Sequence, residues 1–172
     1  MRRQHPKNDE MDLDETPAGA QPDKLAVIAG GEPAGERQQR MPSGRRGARA
    51  VAVQALFESD LSGHSGMAAC LRLGAEVRLS AANAALSTEL VNSVEKNRAQ
   101  LDRRIGAVAT AFPAGQVPAV DRNILRVALA EAALHPETPR GVVITEAVEI
   151  ARLLGSDSSA RFVHGVLGAL LG

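Results

Sequence analysis

The sequence predicts an all-α protein, in which a compact bundle of about six to seven helices follows a disordered N-terminal leader. Aromatic residues make up only 2% of the chain, with neither Trp nor Tyr, and this argues against a sandwich or barrel because strands draw heavily on aromatic side chains. Alanine and leucine dominate instead, and both favour helix. From residue 45 onward, apolar residues recur three, four or seven positions apart, which is the period of an amphipathic helix.

The leader is predicted to cover residues 1–43, and the helical domain residues 44–172. Five of the nine prolines fall in the leader, among many charged and small residues. Its one apolar cluster, residues 25–29, is too short to bury itself, so the segment does not recover the entropy that ordering would cost.

Six segments of the domain have helical periodicity, and we place them at about residues 45–62, 64–79, 86–108, 118–134, 139–154 and 158–171. The second has poorly marked boundaries. Pro113 and Pro136 follow the third and fourth segments and stop them. Thr138 and Pro139 are typical of an N-cap followed by proline at the first helical position, and Gly155 is well placed to end the fifth helix.

The residues that catalysis or metal binding would need are missing or scattered. The single cysteine, Cys70, rules out a disulfide framework and is predicted to be a small buried residue. The four histidines lack the helical spacing of metal ligands, and neither phosphate-binding glycine motif occurs. Carboxylate pairs such as Glu146 and Glu149 are interpreted as solvated or helix N-terminal charges. The sequence therefore predicts no enzyme, no metal and no cofactor.

The chain also lacks the features of membrane and secreted proteins. No apolar run approaches the ~20 residues that span a bilayer. The first residues lead into acidic positions and not into the apolar core of a secretory signal. We therefore expect a cytoplasmic protein that makes no membrane contact.

Three arginines, Arg45, Arg46 and Arg49, stand at the start of the first predicted helix. Cations in a first turn face the positive end of the helix dipole and cost some tenths of a kcal/mol. A phosphate partner reverses that sign, because the amides at the helix N-terminus and the guanidinium groups then converge on one anion. Nucleic-acid binding and a solvated helix end both remain open from these residues alone.

A second candidate patch opens the last helix. Several possible N-caps, including Ser158, precede Arg161, which again opposes the dipole. Phe162 beside it fits either a place in the core or stacking on an unpaired base.

Four segments together resemble the NusB family of bacterial transcription antitermination factors. They are residues 45–57 (R-R-G-A-R-A-V-A-V-Q-A-L-F), 120–128 (V-D-R-N-I-L-R-V-A), 143–151 (V-I-T-E-A-V-E-I-A) and 161–167 (R-F-V-H-G-V-L). The order and distances of the four segments fit the family, and the resemblance covers the chain from Arg45 to Gly172.

The resemblance implies an all-helical RNA-binding domain of two packed subdomains. Such proteins bind the boxA element of ribosomal RNA leader transcripts with NusE, a small-subunit ribosomal protein, and join an RNA polymerase complex that suppresses termination. By motif position, RNA contacts are expected at eight residues of this chain: Arg45, Arg46, Arg49, Phe57, Asp121, Ser158, Arg161 and Phe162.

Five positions depart from the family pattern. Thr145 and His164 replace asparagines that look like backbone-capping residues, and Phe57 replaces a more usual Tyr, which leaves stacking as its only option. Gly47 interrupts the basic run where a third Arg or Lys is common, which predicts weaker RNA binding. Ser158 occupies a position that is often acidic, and its neutrality would reduce repulsion of phosphate.

Two other functions are compatible with the same residues. One is an accessory module of an RNA methyltransferase, which the absence of Rossmann-like units and of a glycine-rich cofactor loop disfavours. The other is a protein-interaction domain, with a homodimer that hides its arginines.

Overall fold

Six α-helices make up the regular structure of the residues that the computed structural model describes, namely 41–110, 112 and 116–172. They are α1 (Gly44–Ser62), α2 (Gly66–Glu76), α3 (Ala81–Val108), α4 (Ala119–Leu134), α5 (Arg140–Leu154) and α6 (Ser159–Leu171). No strand occurs within this part of the chain. The all-α prediction is confirmed. The predicted leader lies outside the described residues except for positions 41–43, where Met41 packs against the core.

Serine caps fix the two helix starts that periodicity left uncertain. The Ser65 hydroxyl accepts a hydrogen bond from the backbone N–H of Ala68 and thereby starts α2. The Ser80 hydroxyl does the same for Asn83, so α3 begins at Ala81, earlier than the apolar pattern predicted. Between α1 and α2, Gly63 adopts the left-handed conformation, with φ 71°, that closes a helix.

One expectation about α5 needs correction, and one is confirmed. Pro139, and not Thr138, takes the N-cap position, because the Pro139 carbonyl already accepts the hydrogen bond from the Val143 N–H at 3.2 Å. Gly155 follows α5 as predicted but is extended, with φ −94° and ψ −169°, and not left-handed. Glycine is needed there because a Cβ would lie 2.4 Å from the Ser159 Cβ.

The helices pack as two groups of three. Helices α1, α2 and α3 contact one another, as do α4, α5 and α6, and α4 joins the groups by packing against α1 and α3. Together they form one compact unit, Gln39–Gly172. The largest fully buried side chains come from α1, α3, α4, α5 and α6, and they include Leu56, Leu90, Leu125, Ile150 and Leu167. Among the described helices, none has the length and apolarity that crossing a bilayer requires.

A buried carboxylate near the end of α1 fastens this helix to α3 and α4. Asp60 accepts hydrogen bonds from Arg126 Nη1 at 2.9 Å and Asn123 Nδ2 at 3.0 Å, and it also pairs with Arg98 and Arg122. Burial favours the neutral acid, but the Asn123 hydrogen bond and the Arg126 charge outweigh it and hold the pKa of Asp60 below its ordinary value. Asp60, at the end of α1, thus meets the first half of α4, whereas Arg49, at the start of α1, meets Glu131 near the end of α4, so the two helices run antiparallel.

Candidate nucleic-acid interface

The three arginines at the start of α1 differ sharply in exposure. The side chains of Arg45 and Arg46 are 57% and 41% exposed, whereas that of Arg49 is only 6% exposed. We call these three residues the arginine end of α1. Only two of the three guanidinium groups lie at the surface.

Arg49 is held in the interior by a carboxylate of α4. Its Nε and Nη2 atoms donate to the two oxygens of Glu131 at 2.7 and 2.6 Å, and the Glu131 side chain is 1% exposed. Such a two-pronged pair is the geometry that compensates buried charges best. The Arg45 guanidinium lies 3.9 Å from the same carboxylate.

Arg46 is paired with Glu146 of α5. Its Nε and Nη2 atoms donate to Glu146 at 3.0 and 2.8 Å, and Arg49 Nη1 reaches the same carboxylate at 3.4 Å. The hydrogen bond from Arg46 holds the pKa of Glu146 below its ordinary value, and the same bond raises the pKa of Arg46. The interpretation of Glu146 as a solvated charge was wrong, because this carboxylate is 18% exposed and joined to two arginines.

A surface depression of about 470 Å³ lies over this cluster, lined by Arg45, Arg46, Arg49, Glu137, Thr138, Val142 and Glu146. The pKa of Glu137 is lowered by a backbone hydrogen bond, by His135 and by the charge of Arg45. Two carboxylates, those of Glu137 and Glu146, thus line the depression together with the three arginines.

The first turn of α1 contributes no acid of its own to this cluster. Its first turn has no acidic residue, and the Ser43 side chain makes no capping hydrogen bond. Gly47 belongs to this turn for a steric reason, since a Cβ there would lie 2.1 Å from the carbonyl oxygen of Pro42. The departure from a continuous basic run thus follows from the close approach of the preceding backbone.

The residues predicted around α4 and α6 form a second group at the starts of those helices. Ser158 and Arg161 are exposed. Phe162 is half-buried and packs edge-on against Phe112, with ring centroids 5.1 Å apart. Asp121 is 4% exposed, and its Oδ1 atom has no hydrogen-bond partner.

The environment of Asp121 changes its titration. Burial raises the pKa of Asp121, an effect that the neighbouring Ser159 hydroxyl partly offsets. This carboxylate is covered by the packing of α4 against α6 and does not present a charge to the surface.

Phe57 belongs to a third location. It is half-buried and lines a groove of about 460 Å³ with Leu61 of α1 and Leu73 of α2. Both leucines come from the first three-helix group, so this groove lies away from α5 and α6.

The structure brings together the three arginines of α1 but separates them from Ser158, Arg161 and Phe162 at the start of α6. We call these last three residues the α6 corner. No Cα of α1 lies within 8 Å of a Cα of α6 in the described parts of these helices. Glu131 of α4 lies beside the arginine end, and Asp121 of α4 lies beside the α6 corner. These two residues are ten positions apart, which corresponds to roughly 15 Å along the helix axis.

Sequence reasoning missed the acidic partners of the arginine end, Glu131, Glu137 and Glu146. One signal was available for Glu131, which interrupts the otherwise apolar run of residues 127–134. A charge on a buried helix face requires a partner. The identity of that partner, 82 residues away in the sequence, was not readable from the pattern.

Comparisons with known proteins agree with this architecture. The NusB family model matches residues 46–171. The chain is 40% identical over 130 residues to the transcription antitermination protein NusB of Dehalococcoides mccartyi strain 195, covering 76% of this chain and 91% of that protein. The NusB protein of Roseiflexus sp. strain RS-1 is 43% identical over 133 residues, covering 76% and 94%.

Solved structures show the same fold. The structure of T. maritima NusB superposes with a TM-score of 0.69 at 25% identity, and the match covers 76% of this chain and 92% of that one. A second structure, of the antitermination factors NusB and NusE in complex with dsRNA, gives a TM-score of 0.66 at 24% identity, covering 73% and 94%. Since the family match spans nearly the whole described domain, the chain belongs to the NusB family of transcription antitermination proteins.

Proposed function

We propose that this chain is a non-catalytic, RNA-binding transcription antitermination factor that acts in the cytoplasm. It binds boxA-type single-stranded RNA of ribosomal leader transcripts together with NusE, and it joins the RNA polymerase complex that reads through terminators. The observation that carries this proposal is the arginine end of α1, where two exposed guanidinium groups stand at a helix N-terminus without an acidic residue in the first turn.

The exposures assign different tasks to the candidate residues. Arg45 and Arg46 contact RNA phosphates, because their side chains are 57% and 41% exposed. Arg49 is buried and positions its neighbours through Glu131 and Glu146 instead of touching RNA. Phosphate contacts set position and affinity but carry no base information.

The α6 corner supplies the second contact. Arg161 and Ser158 are exposed there, and the uncovered part of Phe162 offers a surface on which a base can stack. Asp121 is buried beneath this corner, beside the Ser159 hydroxyl at the start of α6. The arginine end and this corner lie roughly 15 Å apart along α4, the rise of ten helical residues, so a single strand that contacts both Arg46 and Phe162 has to cross a distance of that order. Phe57, on the other group of helices, then meets either the RNA end or the partner protein.

NusE is the proposed protein partner, since a solved NusB of the same fold was crystallised with NusE and dsRNA. Light scattering of the chain alone, with NusE and with RNA separates a heterodimer from a homodimer that covers the arginine end. A homodimer that persists in saturating NusE and RNA would argue against the proposed assembly.

The test is an RNA-binding titration of the full chain, with and without NusE. The probes are a ribosomal leader RNA that contains boxA and a scrambled RNA of the same length. We expect tighter binding of the boxA RNA and a further gain with NusE. Equal affinity for both RNAs in the presence of NusE would refute the proposed specificity.

A further inference from the structure

We propose that Glu146 occupies, in the free protein, the place on Arg46 that an RNA phosphate takes in the complex. The carboxylate is then an internal competitor that sets how tightly the arginine end of α1 holds RNA. This inference rests on the proposed function and names the regulation of the same site.

The geometry of the pair is the geometry of phosphate recognition. Glu146 places one oxygen on Arg46 Nε and the other on Nη2, at 3.0 and 2.8 Å. Two oxygens of a phosphate fit the same planar fork. The two ligands therefore exclude each other on this edge of Arg46, the one formed by Nε and Nη2.

Exposure makes the Glu146 pair exchangeable. The Arg46 side chain is 41% exposed, and the pair lies at the wall of the depression beside Arg45. The Arg49–Glu131 pair differs, because both of its side chains are nearly inaccessible to solvent. Breaking that pair would leave an uncompensated buried charge, so it stays closed while the outer pair opens.

The carboxylate that leaves Arg46 keeps a partner. Arg49 Nη1 lies 3.4 Å from Glu146 in the free protein. When phosphate takes Arg46, this second contact can shorten and compensate Glu146. The exchange therefore does not strand a charge, which is the main cost of breaking a partly buried ion pair.

The cluster around the arginine end carries little net charge. Three glutamates, Glu131, Glu137 and Glu146, lie around the three arginines. Only Arg45 and the released Arg46 remain for phosphate. Each contact to a single strand adds about 0.7 to the salt-dependence slope, so this end contributes about 1.4 and not the value expected for three free arginines.

The experiment compares Glu146→Gln with Glu149→Gln. Glu149 lies on the same helix one turn away and pairs with Arg152, so its substitution changes the net charge equally but leaves the Arg46 fork occupied. We expect about tenfold tighter RNA binding for Glu146→Gln with an unchanged salt slope, because a charge within ~4 Å of the phosphate is removed while the number of phosphate contacts stays the same. The control should gain about twofold or less, since solvent screens more distant charges.

The gain must depend on Arg46. In an Arg46→Ala background, Glu146→Gln should improve binding no more than Glu149→Gln does. An unchanged or weaker affinity of Glu146→Gln, or a gain of the same size without Arg46, would overturn the proposal.

A second measurement covers the case in which Glu146→Gln does not fold. The Nε–H resonance of Arg46 in the unsubstituted protein, assigned with Arg46→Lys, should move on addition of RNA, whereas that of Arg49 should stay in place. If the Arg46 resonance is unmoved at saturating RNA, the exchange does not occur.

The two proposals fail separately. Phosphate competition acts on any strand, so the gain should appear with boxA and scrambled RNA alike. Lack of boxA preference refutes the proposed function and leaves the exchange intact. If no RNA binds, inorganic phosphate replaces RNA as the probe. Phosphate should then move the Arg46 resonance at a lower concentration in Glu146→Gln than in the unsubstituted protein. If both proteins need the same phosphate concentration, the exchange is refuted.

Discussion

Replacing Glu131 by glutamine tests whether the buried pair with Arg49 holds α1 against α4. Glutamine keeps the shape of the side chain but removes the charge that compensates Arg49. Breaking one partner of a buried pair typically costs about 3–5 kcal/mol of the free energy of unfolding. Because Arg49 keeps Glu146 at 3.4 Å, we expect the lower end of that range.

The loss is large compared with the whole stability of a domain of this size, which is roughly 5–15 kcal/mol. It corresponds to a fall in melting temperature of roughly 10–15 °C. Urea unfolding followed by far-UV circular dichroism measures it directly, since the chain lacks the Trp and Tyr that fluorescence would need.

A double variant separates the pair from the packing around it. Glu131→Leu together with Arg49→Met replaces both charges by apolar groups of similar size, and such exchanges are often neutral or stabilising. We expect the free energy of unfolding of this double variant to lie within about 1 kcal/mol of that of the unsubstituted protein. This account of the pair would be refuted if Glu131→Gln lowered the free energy of unfolding by less than about 1 kcal/mol. It would also be refuted if the double variant were less stable than Glu131→Gln alone.

Three further predictions follow from single residues. Arg45→Ala should reduce the salt slope of RNA binding by about 0.7 and leave the melting temperature unchanged, because this side chain is 57% exposed. Asp60→Asn should lower the free energy of unfolding at pH 7 and make its decline in acid less steep. The pKa of Asp60 is lower in the folded state than in the unfolded state. The stability that this carboxylate contributes is therefore present above the unfolded carboxyl pKa of about 3.9 and is lost as the pH falls through the folded value. Gly155→Ala should cost about 1–3 kcal/mol, since its Cβ would lie 2.4 Å from Ser159, whereas Gly165→Ala in open space on α6 should stabilise by up to about 1 kcal/mol.

Each of these has a matched control. Arg72→Ala removes an arginine of similar exposure from α2 and should leave RNA binding unchanged; equal losses for Arg72 and Arg45 would indicate a general charge effect. For Asp60, urea unfolding at pH 7 and pH 3 gives the comparison, and an undiminished acid decline in the variant would assign it to other carboxylates. Equal stability of the two glycine variants would contradict the close approach at Gly155.

The helices were predictable from sequence because their signals are local. Apolar periodicity located all six, and the prolines at 113, 118 and 136 delimited α3 and α4. The predictions that needed correction concern single residues whose role depends on a distant neighbour. Glu146 is one, since its partner Arg46 lies 100 residues away in the sequence.

The arginine end was predictable as a basic cluster but not as a set of ion pairs. Arg46 and Glu146 are 100 residues apart in the sequence, and nothing local marks them as partners. Arg49 looked equivalent to Arg45 and shares its helix face, but it lies one turn deeper in the contact with α4, where Glu131 holds it. Which arginine faces RNA and which is buried is decided by tertiary packing.

The two polar clusters at opposite ends of the α1–α4 contact have a consequence for how the helices find their alignment. Between Arg49 and Asp60, α1 buries three alanines, two valines and Leu56. A slide by one turn, about 5.4 Å, would move these side chains out of their places in the core and would separate Arg49 from Glu131 and Asp60 from its arginines at once. The charged groups at both ends thus add to the apolar packing in selecting one register, and we expect variants with neutral residues at both ends to align less uniformly, visible as doubled amide resonances.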